Sequence, residues 1–104
     1  DIAVITDLIA AGGEKRAVVI DGMGHINDPR IFPLLEPMLA AAKDDQEKMM
    51  IIDSLGRLRD YRAVKPLEKY LYSTKEIWGV RVLALEALKS ITGASYSNVN
   101  LAPR

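Results

Sequence analysis

Cysteine is absent from this chain, which excludes a disulfide framework, a thiolate nucleophile and a cysteine-based zinc site. Histidine occurs once, at His25, too few for the several ligands a transition-metal site usually takes. There is no excess charge of either sign, since 14 basic residues face 14 acidic ones. That balance removes the global attraction to phosphate on which nucleic-acid binders rely, though a local patch stays open. No apolar run approaches the length of a membrane-spanning helix. No basic stretch followed by an apolar one marks a signal peptide at Asp1. The first residue is not Met, so the expectation is a trimmed or excised piece, with the cytoplasm as default location.

What is present is helical periodicity, with apolar residues at intervals of three and four and turns of only a few residues. "DIAVITDLIAAGG" reads as a first helix ending at Gly12 and Gly13, and "EKRAVVIDGMGHI" as a second. "NDP" breaks the pattern: Asp28 can accept from an orphan backbone N–H, and Pro29 needs no donor at a helix start. A third helix runs to about Ala42, and a fourth starts with Asp44 or Asp45 as its cap. Asp60 in "RDYR" repeats the role of Asp28, and a fifth helix follows. Ser73 or Thr74 can cap a sixth running to Ile91. Pro33, Pro37 and Pro66 predict irregular turns after Asp28 and Asp60, and a bend at Pro37.

The chain nearly says one thing twice. "DGMGHINDPRIFPLLEPML" (21–39) and "DSLGRLRDYRAVKPLEKYL" (53–71) align without a gap, with seven of nineteen positions identical. With one extra residue "VRVLALEALKSITG" continues the period, aligning Asp21, Asp53 and Glu86, then Met23, Leu55 and Leu88. Periods of about 20–50 residues mark solenoids, whose units bury their apolar faces by stacking on each other. On these motifs the chain resembles HEAT-repeat proteins, of the HEAT-like subclass found in phycobilisome lyases. The resemblance covers residues 1–93 and departs at Lys89, which stands where the other copies have Gly24 and Gly56.

The resemblance implies an all-α, right-handed α-solenoid of about three helical hairpins (six helices), with a flexible or truncated tail over 94–104. It also implies a concave layer of 14–26, 46–58 and 77–92 and a convex layer of 2–11, 30–42 and 62–73. Helical spacing puts Ala84, Ala87, Leu88 and Ile91 in the core, matching Val19, Gly22, Met23 and Ile26, then Ile51, Ser54, Leu55 and Leu58. Small residues there would let helices approach closely.

Candidate chemistry is sparse. The carboxylates Asp21, Asp53 and Glu86 recur with the repeat, five residues after Arg16, Lys48 and Arg81. That spacing suits register-setting pairs between adjoining repeats better than an acid/base pair converging on one point. His25 shares a column with Arg57 and Ser90 and reads as solvent-facing, with neither orienting partner nor cleft visible. Ser54, Ser90 and Thr92 have no adjacent activating base. The expectation is therefore a non-enzyme with no cofactor and no metal. Trp78 reads as a wedge between repeats or, less favourably, a ligand platform.

The remaining signal is an apolar column, Ile20, Ile52 and Leu85, joined by Ala17, Met49 and Val82. Exposed on the concave face, it would form a partner-binding stripe edged by Asp21, Asp53, Glu86, Arg57 and Lys89. Solenoid curvature could instead bury it. Residues 2–11 are apolar almost all round, where a terminal repeat should be polar outside. They imply a missing helix, a homodimer contact or a neighbouring domain. These features read as a protein–protein interaction scaffold with a partner of unknown identity, without nucleic acid or membrane. The alternative is an accessory, chromophore-lyase-like subunit of the phycobilisome-lyase type, implied by resemblance alone. The columns where the copies differ are the places to look for function: His25 against Arg57, Gly22 against Ser54, Met38 against Tyr70.

Overall fold

The computed structural model describes residues 14–26 and 28–93, so the expected first helix at 2–11 and the tail 94–104 lie outside the described residues. Within them run α1 (Glu14–Met23), α2 (Phe32–Ala41), α3 (Asp45–Leu58), a 3₁₀ turn (Tyr61–Ala63), α4 (Val64–Tyr72) and α5 (Trp78–Thr92). Every regular element among the described residues is helical.

Local chemistry sets the helix ends. Asp44 caps α3, its carboxylate accepting the Gln46 N–H at 2.8 Å. Asp45 and Glu47 follow in the first turn, and Arg57 sits in the last, matching the helix dipole at both ends. Gly93 closes α5 with φ 69°, donating its N–H to the Lys89 carbonyl at 2.8 Å. The two aspartates of the repeat do play one part. Asp28 accepts the Arg30 N–H at 2.9 Å, and Asp60 the Arg62 N–H at 2.9 Å. Each arginine also turns its guanidinium back onto the same carboxylate, at 2.7 Å and 2.6 Å. Arg62 reaches further, donating to the Pro29 carbonyl at 2.7 Å and lying 4.8 Å over the Phe32 ring. The second loop is thereby strapped to the first.

The prolines at the two helix starts fall where expected. Pro33 and Pro66 lie within the first turns of α2 and α4, where a missing N–H leaves no gap, and Pro37 is inside α2. The cap of the last helix differs from expectation. α5 begins only at Trp78, and Ile77 precedes it without a side-chain cap. Ser73 is engaged in ending α4: its N–H donates to the Tyr70 carbonyl at 3.4 Å and its hydroxyl accepts the Lys75 N–H at 3.3 Å.

α1, α3 and α5 form one layer with α3 in the middle, while α2 packs on α3 and α4 on α5. Between the layers Leu35, Ile51, Leu55, Leu67, Leu71, Ala84 and Leu88 are fully buried. Each buried Leu or Ile contributes about 1.5–3 kcal/mol of burial free energy before entropy is counted. The expected core columns hold at Met23, Ile51, Ser54, Leu55, Ala84, Ala87, Leu88 and Ile91. They fail at Gly22 and Ile26, which are exposed. α1 ends at Met23 and tightens, with Gly24, His25 and Ile26 each donating three residues back. Helical spacing no longer carries Ile26 inward.

The layer closes on two glycines. A Cβ on Gly24 would stand 2.9 Å from Ser54 Cα, and one on Gly56 would stand 2.9 Å from Ala87 Cβ. Ser54 and Ala87 occupy the same column, so one close contact is made twice along the stack.

Candidate functional site

Arg57 organises the exposed face of the α1–α3–α5 layer. It lies four residues after Asp53, on the same side of α3. Its Nη2 donates to Asp53 Oδ2 and its Nη1 to Asp21 Oδ1 on α1, the latter at 2.9 Å. The same Nη1 lies 3.0 Å from His25 Nε2. A guanidinium only donates, so the imidazole nitrogen takes the acceptor role in this contact. The Asp21 hydrogen bond, ahead of the Asp53 charge, raises the Arg57 pKa and keeps it a cation throughout.

The charge pairing therefore differs from the sequence reading. Asp21 does pair with a basic residue of the adjoining repeat, but that residue is Arg57, not Lys48. Residues five apart on a helix point away from each other, whereas those four apart share a face. Lys48 instead meets Glu76 at 3.1 Å, with both side chains largely buried at 17% and 15% exposure. Arg81 donates its Nε to the Leu71 carbonyl at 2.9 Å. The side chain of Arg16 lies outside the described residues.

The apolar stripe is corrected in its centre. Ile20 and Ile52 are 0% exposed and belong to the core, so neither can touch a partner. α3 packs on both α1 and α5, and the seams between these helices cover the column. Met49, Val82, Leu85 and Ala17 are half-buried. Exposed on this face are Asp21, Arg57, Glu86 and Lys89, with Asp53 partly so. The face is charged rather than apolar.

Two hollows open along it. The larger, about 610 Å³, lies at the helix ends between His25, Arg57, Arg59 and Ser90. The smaller, about 120 Å³, lies between α3 and α5 and is bordered by Asp53, Arg57, Leu83, Glu86 and Ser90. Ser90 Oγ donates to the Gly56 carbonyl at 3.2 Å. Among the described residues no group of three or more His, Cys, Asp or Glu side chains is placed to hold a metal ion.

A family model for HEAT repeats matches residues 3–89. The chain belongs to the HEAT-repeat family. Neither the curated proteins nor the solved structures returned a match in the same comparisons.

As HEAT repeats, the described helices use the columns where the copies differ for bonds between repeats. His25 meets Arg57, Ser54 Oγ donates to the Ile20 carbonyl at 2.8 Å, and Tyr70 OH donates to the Leu39 carbonyl at 3.2 Å. Sequence reasoning marked these positions as places for function, and each makes a bond between repeats. It passed over Ser90 as a lining residue, although the column His25, Arg57, Ser90 already held the signal. Trp78 is 55% exposed instead of wedged between repeats. It is the first residue of α5, and Val80 two positions on turns into the core. No described helix is long and apolar enough to cross a membrane.

Proposed function

We propose that this HEAT-repeat protein is a non-catalytic scaffold that binds a protein partner on the exposed face of α1, α3 and α5. The observation that carries the reading is the Arg57 bridge. It holds carboxylates of two successive repeats in a fixed, exposed array above the buried Ile20 and Ile52. A rigid charged face pays little entropy on binding and steers a partner of complementary charge. The binding residues on this reading are Asp21, Asp53, Arg57, Glu86 and Lys89, with Met49, Val82 and Leu85 half-buried beside them.

The reading takes residues 1–93 as a right-handed solenoid of three hairpins, the first completed by 2–11, and 94–104 as a tail. It places the protein in the cytoplasm, with a protein partner and neither nucleic acid nor membrane. The even balance of basic and acidic residues supports a protein partner over phosphate. Self-association through residues 2–11 is a further part of the same reading.

The test is affinity capture from a native extract with two charge-swapped proteins. One carries Glu86→Lys with Lys89→Glu on α5, and the other Glu36→Lys with Lys69→Glu on α2 and α4. A protein held by wild type and by the second variant but released by the first supports the reading. Retention by both variants would overturn it.

A further inference from the structure

Among the described residues, no basic side chain bridges Asp53 on α3 to Glu86 on α5 as Arg57 bridges Asp21 to Asp53. Asp21, Asp53 and Glu86 occupy one column on the three helices. Arg57, four residues after Asp53, grips the carboxylate of its own helix and that of the helix before it. The residue four after Glu86 is Ser90, too short to reach either Glu86 or Asp53, and its hydroxyl is turned to the Gly56 carbonyl. Lys89 is exposed beside it, and no basic side chain joins Glu86 to Asp53 among the described residues.

A cleft stands at that place. Its volume is about 120 Å³, with Asp53 and Glu86 as its acidic members, Leu83 and Ala87 as apolar wall, and Ser90 as neighbour. Arg57 borders it too, but Asp21, His25 and Asp53 Oδ2 hold both of its terminal nitrogens. The mixture fits a long basic side chain, whose methylene stem tolerates an apolar wall while its cationic head seeks carboxylates. Arg57 itself is the template for such a group between two of these carboxylates.

We infer that this cleft receives a lysine or arginine side chain from a basic segment of the protein partner. That side chain takes, between α3 and α5, the place Arg57 takes between α1 and α3. The inference rests on the scaffold reading and gives its partner a chemistry.

A labelled tetra-arginine peptide, with tetraglutamate as the opposite control, tests it by fluorescence anisotropy at low salt. Wild type should bind the first and not the second, and binding should weaken as salt screens the pair. Glu86→Gln removes one carboxylate, and Ser90→Arg places a guanidinium in the cleft from within the chain. Both should weaken tetra-arginine binding about tenfold, the loss expected on removing one charge-assisted contact. Glu36→Gln on α2 should leave it within about twofold, and circular dichroism melts should show all three variants folded. No binding by wild type, or equal weakening by Glu36→Gln, would overturn the inference. If the peptide arm fails while the α5 charge swap still releases a captured protein, the basic-side-chain inference falls and the scaffold reading stands. If the charge swap releases nothing, both fall.

Discussion

Gly56 on α3 lies so close to Ala87 on α5 that a Cβ on the glycine would stand 2.9 Å from the alanine Cβ and 3.0 Å from its Cα. Neither neighbour is the loose end of a flexible side chain, so Gly56→Ala must push two helices apart. Overpacking of this kind costs about 1–3 kcal/mol, and the better helix propensity of alanine returns about 1. The expected net loss is up to about 2 kcal/mol, read as a fall in Tm. Gly22→Ala is the opposite case, since nothing lies within 4 Å of its Cβ position. It should leave Tm unchanged or raise it slightly.

Ile52→Asp should unfold the domain. The side chain is 0% exposed, so the substitution removes its apolar burial and places a carboxylate in the core. A loss above about 4 kcal/mol is expected, close to the whole stability of a small domain. Val18→Asp, at a position 74% exposed, should change stability by less than about 0.5 kcal/mol. Thermal melts of the two variants side by side check the assignment of Ile52 to the core.

Stability should weaken at both ends of the pH scale, for separate reasons. The Arg30 side-chain and backbone hydrogen bonds hold the Asp28 carboxyl down at about 2, from an ordinary 3.8. Arg62 lowers Asp60 in the same way. The unfolded chain then binds these protons more readily, so their contribution is full above about pH 4 and is lost as pH falls toward 2. Lys48 is shifted the other way, raised above 10.5 by its bond to Glu76. Its contribution is full below pH 10.5 and fades as pH rises through the folded value. Denaturant unfolding against pH should show Asp28→Asn flattening the acid limb and Glu76→Gln the alkaline one.

Ser54→Ala and Tyr70→Phe each delete one bond between repeats, to the Ile20 and Leu39 carbonyls. Each should lower stability by about 0.5–1.5 kcal/mol. The two sites lie on opposite layers and share no partner, so the double variant should lose the sum. A double variant that loses clearly more or less would show that the two bonds are energetically coupled through the packing between the layers.

The repeat made much of the fold legible. Asp28 and Asp60 announce turns because a short carboxylate beside an extended residue has backbone donors in reach, and both positions behave so. Gly24 and Gly56 announce close contacts for a similar reason of size. The face was harder to read. Ile20, Ile52 and Leu85 share a column and a chemistry, yet the first two are sealed and the third is half-buried. Burial there depends on how many helices flank the column, and periodicity within one helix carries no information about its neighbours. The charges posed the same difficulty. Lys48 and Arg57 are both available to Asp21 by repeat arithmetic, and only the rotation of α3 selects Arg57.

The glycine seats also set a rule for growth of the stack. The turn that ends α1 offers Gly24 to the helix beyond it and α3 offers Gly56, whereas α5 presents Lys89 in that column. A helix docking onto α5 as α5 docks onto α3 would meet a four-carbon ammonium side chain where its predecessors met bare backbone. Anything that adds to this end must come in at a wider spacing, or bend the lysine aside first.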